Sequence, residues 1–270
     1  MIMRPVPLSP ALRSYDHVLL DLDGCVWVGD SPTERAPEAV AALRAAGMGV
    51  IFMTNDARHA PEDFVRKLWR LGFRAALDEV LTVGAALQYQ LAQRTEGGVA
   101  FVVGSRALIA HVAAAGMRVV NNTEFASRAE LVVVAGHDLF DYRELKVATQ
   151  ALLRGAELIG TTRDATFPMP DGAWPGTGAV LAAVETAAGR RADRIIGKPE
   201  PAMYEAARDR LGPGRILAVG DRLDIDIAGA AAAGLDSALV LTGATSRAGA
   251  TGAQPAPSLV AESLAALVLV

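Results

Sequence analysis

"LLDLDGCVWVGD", residues 19–30, opens as a short apolar run and then sets Asp21 and Asp23 two positions apart beside Gly24. A continuous apolar run bounded by turn residues reads as a buried strand of a parallel sheet. Two carboxylates at the end of such a strand repel each other, because like charges in a low-dielectric site drive one another's pKa up. Something must compensate them, and the rest of the chain indicates what.

Outward from this stretch, short β-rich runs alternate with helix-like segments, the pattern of a parallel sheet covered on both faces. After the strand "HVLLDLD", "PEAVAALRAA" (37–46) has helical spacing and stops at Gly47. "MGVIFMTN" is a second strand ending at Asn55, and residues 61–70 form a helix with Pro61 at its start and Gly72 beyond its end. "EVLTV" and "AALQYQLAQR" follow, and the composition loosens at "TEGG", residues 95–98. A second α/β series then runs through "VAFVVG", "ALIAHVAAAG", "LVVVAG", "YRELKVATQALLRG" and "ELIGTT". "TTRDATFPMPDGAWP" (161–175), rich in proline and polar residues, reads as an ordered loop before a helix over 176–188. "GRRAD" (189–193) is a second loose joint, and from Ile195 the first pattern resumes with "IIGKP", "RILAVGD", "SALVLTG" and an apolar tail. The expected fold is α/β: a doubly wound parallel-sheet, Rossmann-like core from residues 1–94 and 192–270, with a smaller α/β domain inserted at 95–191. The two joints would act as hinges.

Composition narrows the function. The chain has 270 residues, 51% of them hydrophobic, and a net charge of −4 with scattered lysines and arginines. Nucleic acid is not an expected partner. Cys25 is the sole cysteine, so no disulfide framework or thiolate zinc site exists, which suits a reducing cytoplasm. The proline-broken start lacks the continuous apolar core of a secretory signal, and no segment reaches the ~18 uncharged apolar residues of a membrane span. A cytoplasmic protein with no membrane partner is expected. The four histidines have no ligand spacing, and "PGTG" lacks the Gly-Lys-Ser/Thr of a P-loop.

Four polar clusters each follow an apolar run: Asp21 with Asp23, Thr54 with Asn55, Lys198, and Asp221 with Asp224 and Asp226. Strand C-termini of a parallel sheet share one edge, where ligands collect at the crevice of reversed strand order, so the clusters should converge. Taken singly, each has a bland reading: a capping turn, a capping pair, a solvated lysine, or a calcium-like loop without the EF-hand spacing. Together they describe carboxylates that a hard cation such as Mg²⁺ would hold beside a phosphate. Asp21, at the strand end, can act as nucleophile; Asp23, two residues on, can protonate a leaving group and later take a proton from water. The Thr54 hydroxyl, backbone N–H groups near Asn55 and the Lys198 ammonium can cradle the phosphoryl group.

These residues resemble the haloacid dehalogenase superfamily of phosphohydrolases, whose four motifs stand here as "DLDGC", "MTN", "GKP" and "GDRLDID". "TFPMPDGAWPGTGAVLAAVETAAGR", "IGKPEPAMYEAA" and "LVLTGATSR" are similar to its phosphoglycolate and 4-nitrophenyl phosphatase-like branch, which includes pyridoxal phosphate, nucleotide and glycerol-phosphate phosphatases. The resemblance spans almost the whole chain. It implies an aspartyl-phosphate on Asp21, acid–base work by Asp23, and phosphate binding by Thr54 and Lys198. It implies Mg²⁺ held by the Asp21 side chain, the Asp23 backbone carbonyl and Asp221, with Asp226 acting directly or through water; Asp224 falls at a variable position. Asp56 and Ala57 replace the branch's frequent Asn-Ser, and Thr162 stands where asparagine is common.

About 33 residues from Asp21 to Thr54 leave room only for a loop, a helix and a strand, whereas about 144 from Thr54 to Lys198 hold the inserted domain. In the branch it resembles, that domain is a cap that closes over the phosphate and contacts the substrate. It is also the expected surface if two copies pair. Within the cap, Asp164 and Phe167 of "DATFPMPDG" (164–172) are the expected leaving-group contacts. The expected substrate is a small phosphate monoester of the sugar, glycerol, nucleotide or pyridoxal phosphate type. A phosphomutase would normally carry its cap elsewhere. Halide displacement needs no protonated leaving group, so Asp23 argues against a dehalogenase. A phosphoryl-accepting receiver, a signalling protein, could not hold a cap between its threonine and lysine. Cys25 reads as a small buried hydrophobe.

Overall fold

The computed structural model describes residues 8–95, 97–169 and 172–270. Residues 1–7 of the proline-broken start, Glu96 of the first joint, and Pro170 and Asp171 of the proline-rich loop lie outside the described residues. Two compact units form. The first comprises the described residues of Met1–Thr54, Pro61–Leu81 and Lys198–Val270, the second Asn55–Ala60 and the described residues of Thr82–Gly197.

The first unit is built on a six-stranded sheet. Its central strand, His17–Asp21, is buried on both faces and pairs in parallel with Gly49–Thr54 on one side and Ile216–Gly220 on the other. Asp236–Val240 and Leu259–Ala261 extend the second side in parallel, and Val80–Thr82 ends the first. Strand order thus reverses between His17–Asp21 and Ile216–Gly220, which opens a crevice beyond their C-terminal ends. Asp21 closes one of these strands and Asp221 directly follows the other. Helix Ala36–Ala45 turns Ala36, Ala39, Val40, Ala42 and Leu43 into the core that holds Val18, Leu20, Val50 and Phe52. Helix Pro61–Arg70 covers the residues expected of it: proline fits the first turn, Glu62 and Asp63 complement the N-terminal dipole, and Lys67 and Arg70 the C-terminal one.

The second unit carries a parallel sheet in the order Arg194–Ile195, Glu157–Gly160, Leu131–Val134, Val99–Val103, Arg118–Val119. Its core gathers Val132, Val134, Leu158, Ala148, Leu152, Leu181 and Val184. Two elements group differently from the sequence reading. Ile195 pairs with Gly160 of this second sheet, because a two-residue strand carries no pattern that tells one sheet from another. Helix Val83–Ala92 packs against helix Arg106–Ala114, its small Gly84 lying against the His111 ring. The stretch read as a loop before helix Thr177–Ala188 contains an antiparallel hairpin, Thr166–Met169 with Gly172–Pro175. Proline hides strands from a sequence reading, yet a two-stranded ribbon has only edge strands, where a missing N–H is tolerated. No helix among the described residues is long and apolar enough to cross a membrane.

Candidate active site

At the crevice of the first unit, one carboxylate oxygen from each of Asp21, Asp221 and Asp226 lies within 4.8 Å of the others. Asp221 and Asp226 are each 4% exposed. Lys198, equally buried, donates to Asp21 Oδ1 and, at 2.6 Å, to Asp226 Oδ1. Burial pushes the Asp21 carboxyl well above its ordinary range, and Asp226 and Asp221 add to the rise against the pull of Lys198. Burial also raises Asp221, partly offset by the N–H of Ala244, which donates to its Oδ2 at 2.6 Å. For Lys198, burial opposes the charge, but Asp21 and Asp226 outweigh it and hold the ammonium protonated well above its ordinary value. Three hard oxygen donors whose charge is undercompensated fit a divalent cation of the magnesium or calcium type.

Local backbone geometry explains how so many charges are aimed at one point. Gly24 has φ +82°, and a Cβ there would meet Asp221 Oδ2 at 2.5 Å, so only glycine lets the turn pass. Thr242 Oγ1 donates to the Gly24 carbonyl at 2.6 Å, tying that turn to the loop that also supplies Ala244. Asp226 sits in a π-type turn, Leu223–Ile227, where its Oδ2 accepts from the Arg222 N–H at 3.1 Å and Tyr204 OH donates to its carbonyl. Such turns recur at functional sites. Sequence reasoning assigned no role to Tyr204, Thr242 or Ala244; they were touched only as family-like text, Tyr204 in "IGKPEPAMYEAA" and the other two in "LVLTGATSR".

Of the other first-unit residues expected in the site, Thr54 ends its strand, 3% exposed. Asp23 is exposed and its side chain is not among the three clustered carboxylates; its Oδ1 accepts from Trp27 Nε1 at 2.8 Å. Asp224 pairs with Arg222, 2.7 Å away, with a side chain 69% exposed and apart from the cluster. Cys25 is fully buried, as a small hydrophobe should be, and burial next to Asp21, Asp226 and Asp221 raises its thiol well above the ordinary value.

The second unit brings together a different set. Asn55 Nδ2 donates to Asp164 Oδ2 at 3.3 Å. The Arg58 guanidinium lies 4.0 Å from the centre of the Phe167 ring, and Phe167 also meets Trp174 at 6.4 Å across the hairpin. Asp56 holds Arg58 through its backbone N–H at 2.7 Å and its Nη2 at 2.8 Å, and takes His59 Nδ1 at 3.1 Å. Burial of Asp56 works against ionisation, but these bonds from His59 and Arg58 prevail and hold the carboxyl far below its usual range.

The fold is a doubly wound α/β sheet, and the donor set at its switch point suits a divalent cation. A family model described as haloacid dehalogenase-like hydrolase matches residues 18–118, and an HAD-hydrolase-like model matches residues 195–267. The D-glycerol 3-phosphate phosphatase of Mycobacterium tuberculosis is 36% identical over 258 residues, 94% of this chain and 71% of that one. Chronophin of Rattus norvegicus is 36% identical over 90% of this chain and 82% of its own length. Among solved structures, the M. tuberculosis glycerol phosphate phosphatase in complex with magnesium superposes with a TM-score of 0.89 at 35% identity, covering 97% of this chain and 79% of that one. The p-nitrophenyl phosphatase from Archaeoglobus fulgidus gives 0.86 at 29% identity, covering 94% and 98%. The chain belongs to the haloacid dehalogenase-like hydrolase family. It is a phosphatase.

Proposed function

We propose that this phosphatase hydrolyses a small phosphate monoester with Mg²⁺, through an aspartyl-phosphate on Asp21. The observation that carries the reading is the convergence of Asp21, Asp221 and Asp226 with Lys198 bridging Asp21 and Asp226. Asp21, Asp221 and Asp226, with the Asp23 backbone carbonyl, would hold the ion, which supplies charge neutralisation between the carboxylates and the anionic phosphate. An Asp21 carboxylate oxygen attacks phosphorus as the ester P–O bond breaks, and Asp23 gives its proton to the departing oxygen. Asp23, now a carboxylate, takes a proton from the water that attacks the aspartyl-phosphate, and inorganic phosphate and free Asp21 result. Lys198, the Thr54 hydroxyl and backbone N–H groups at Asn55 bear the charge on the transferring oxygens.

Relatives named for glycerol 3-phosphate and p-nitrophenyl phosphate support a small, compact leaving group. Asp164 and Phe167 are assigned to read it. Phosphate release over a panel of polyol, sugar, nucleotide and aryl phosphates, with and without Mg²⁺, tests the reading. Release that needs no divalent ion, or that persists in a folded Asp21→Asn variant, overturns it.

A further inference from the structure

Trp27 is among the most deeply buried side chains of the first unit, 1% exposed, yet its polar edge reaches an exposed carboxylate: Nε1 donates to Asp23 Oδ1 at 2.8 Å. The segment joining them is fixed at both ends. Gly24 N–H donates to the Trp27 carbonyl at 2.7 Å and Trp27 N–H to the Leu22 carbonyl at 3.1 Å. The indole ring is clamped as well. Lys67 Nζ lies 4.4 Å from the ring centre while donating to the Gly29 carbonyl at 2.9 Å. A solvent-facing aspartate would ordinarily sample several rotamers; this one is tied to a rigid, buried donor.

We propose that Trp27 is a positioning residue for Asp23. An indole N–H can only donate, so Oδ1 is committed as its acceptor throughout the cycle. Exchange of the proton with the departing oxygen, and later with water, therefore falls to Oδ2, whose direction the indole sets. The inference rests on the assignment of Asp23 as the acid–base group. It adds a reason why a large aromatic with a polar edge stands four residues after that aspartate: the ring anchors in the core and the N–H orients the acid.

Trp27→Phe keeps an aromatic ring beneath Lys67 and removes the donor. Turnover of an alkyl ester such as glycerol phosphate, whose alkoxide needs a proton to leave, should fall about ten- to hundred-fold. Turnover of p-nitrophenyl phosphate should change little, and KM and the half-saturating Mg²⁺ concentration should not move. Equal losses on both esters, or no loss, overturn the proposal. Should Trp27→Phe not fold, site-specific benzothienylalanine at position 27, which has the shape of tryptophan without its N–H, gives the same readout. Asp23→Asn, assayed alongside, separates the two levels. If it shows no alkyl-selective loss, the acid–base assignment fails and the proposal with it. If it does and the Trp27 variant does not, only the positioning role fails. The double variant should lose no more alkyl turnover than Asp23→Asn alone; multiplying losses contradict a shared role.

Discussion

At the scale of single residues, the site is a problem of charge. Asp21 is 14% exposed in its side chain and shares a buried ammonium with Asp226, so each charge there depends on its neighbours. Asp21→Asn keeps the shape and removes the charge of the proposed attacking oxygen. Turnover should fall by roughly three orders of magnitude or more, with thermal stability near that of the parent. Lys198→Ala should do two things at once. It removes the proposed phosphate ligand and leaves two carboxylates without their ammonium partner, a loss of about 3 kcal/mol readable in urea unfolding. A fully active Lys198→Ala protein of unchanged stability would contradict the role given to the lysine. The aspartates and Lys198 were legible in the sequence because each follows an apolar run, and the end of an apolar run is where a parallel strand delivers its side chain. The groups that aim them were not. Ala244 reaches Asp221 from 23 residues away, and Thr242 reaches Gly24 from 218 away, through a backbone N–H and a common hydroxyl that no local pattern marks.

At the scale of elements, the second unit is pinned by one buried acid. Glu185, on helix Thr177–Ala188 and 5% exposed, accepts from Arg163 Nη2 at 3.0 Å, Arg191 Nη1 at 2.8 Å and the Ala192 N–H at 2.8 Å. Burial raises its pKa, but the bonds from Arg163, Ala192 and Arg191 prevail and hold it at about 2 against an ordinary 4.5. A lowered folded-state pKa gives stability that is complete above the unfolded value and is lost as pH falls through the folded one. Glu185→Gln should therefore cost about 1–3 kcal/mol at neutral pH, with the difference shrinking as the solution is acidified from about pH 5 toward 2. Urea midpoints measured across that range check it; a pH-independent difference would mean the carboxylate's charge is not what binds. Nothing in the helical spacing of "AVLAAVETAAGR" distinguished Glu185 from a solvated residue, because its partners lie before and after the helix.

The hairpin Thr166–Met169 with Gly172–Pro175 belongs to this scale too. Its proline and polar content concealed the pairing, though Asp164 and Phe167 stood out as a charged and an aromatic residue in an otherwise connecting stretch. Substitution of Asp164 by Asn, or Phe167 by Ala, should change kcat/KM ratios among phosphate esters and leave Mg²⁺ affinity nearly untouched, because the carboxylate cluster lies in the other unit. Rates that all fall by one factor would assign the hairpin to folding and place substrate choice elsewhere.

At the scale of the whole molecule, the decisive feature is topological. The chain builds the first unit's sheet from both its ends, and the reversal of strand order falls between His17–Asp21 and Ile216–Gly220. Residues 200 apart in sequence thereby share one crevice: Asp21 from one strand end and Asp221 from its neighbour. Alternation of apolar runs and helical spacing was enough to foresee this doubly wound sheet, since each long strand and helix announces its own period. Two-residue strands such as Arg118–Val119 and Arg194–Ile195 lie below that threshold, and their places are set by packing alone.

In the proposed mechanism the Asp21 carboxylate carries the phosphoryl group between ester and water. Rapid mixing of enzyme, Mg²⁺ and substrate, followed by a borohydride quench and peptide mass spectrometry, tests it directly, because borohydride reduces an acyl phosphate to an alcohol. Position 21 should be recovered as homoserine, in a yield that requires both substrate and Mg²⁺ and disappears in Asp21→Asn. Phosphate release at the normal rate with aspartate intact at position 21, or with the reduced residue at another position, would contradict it.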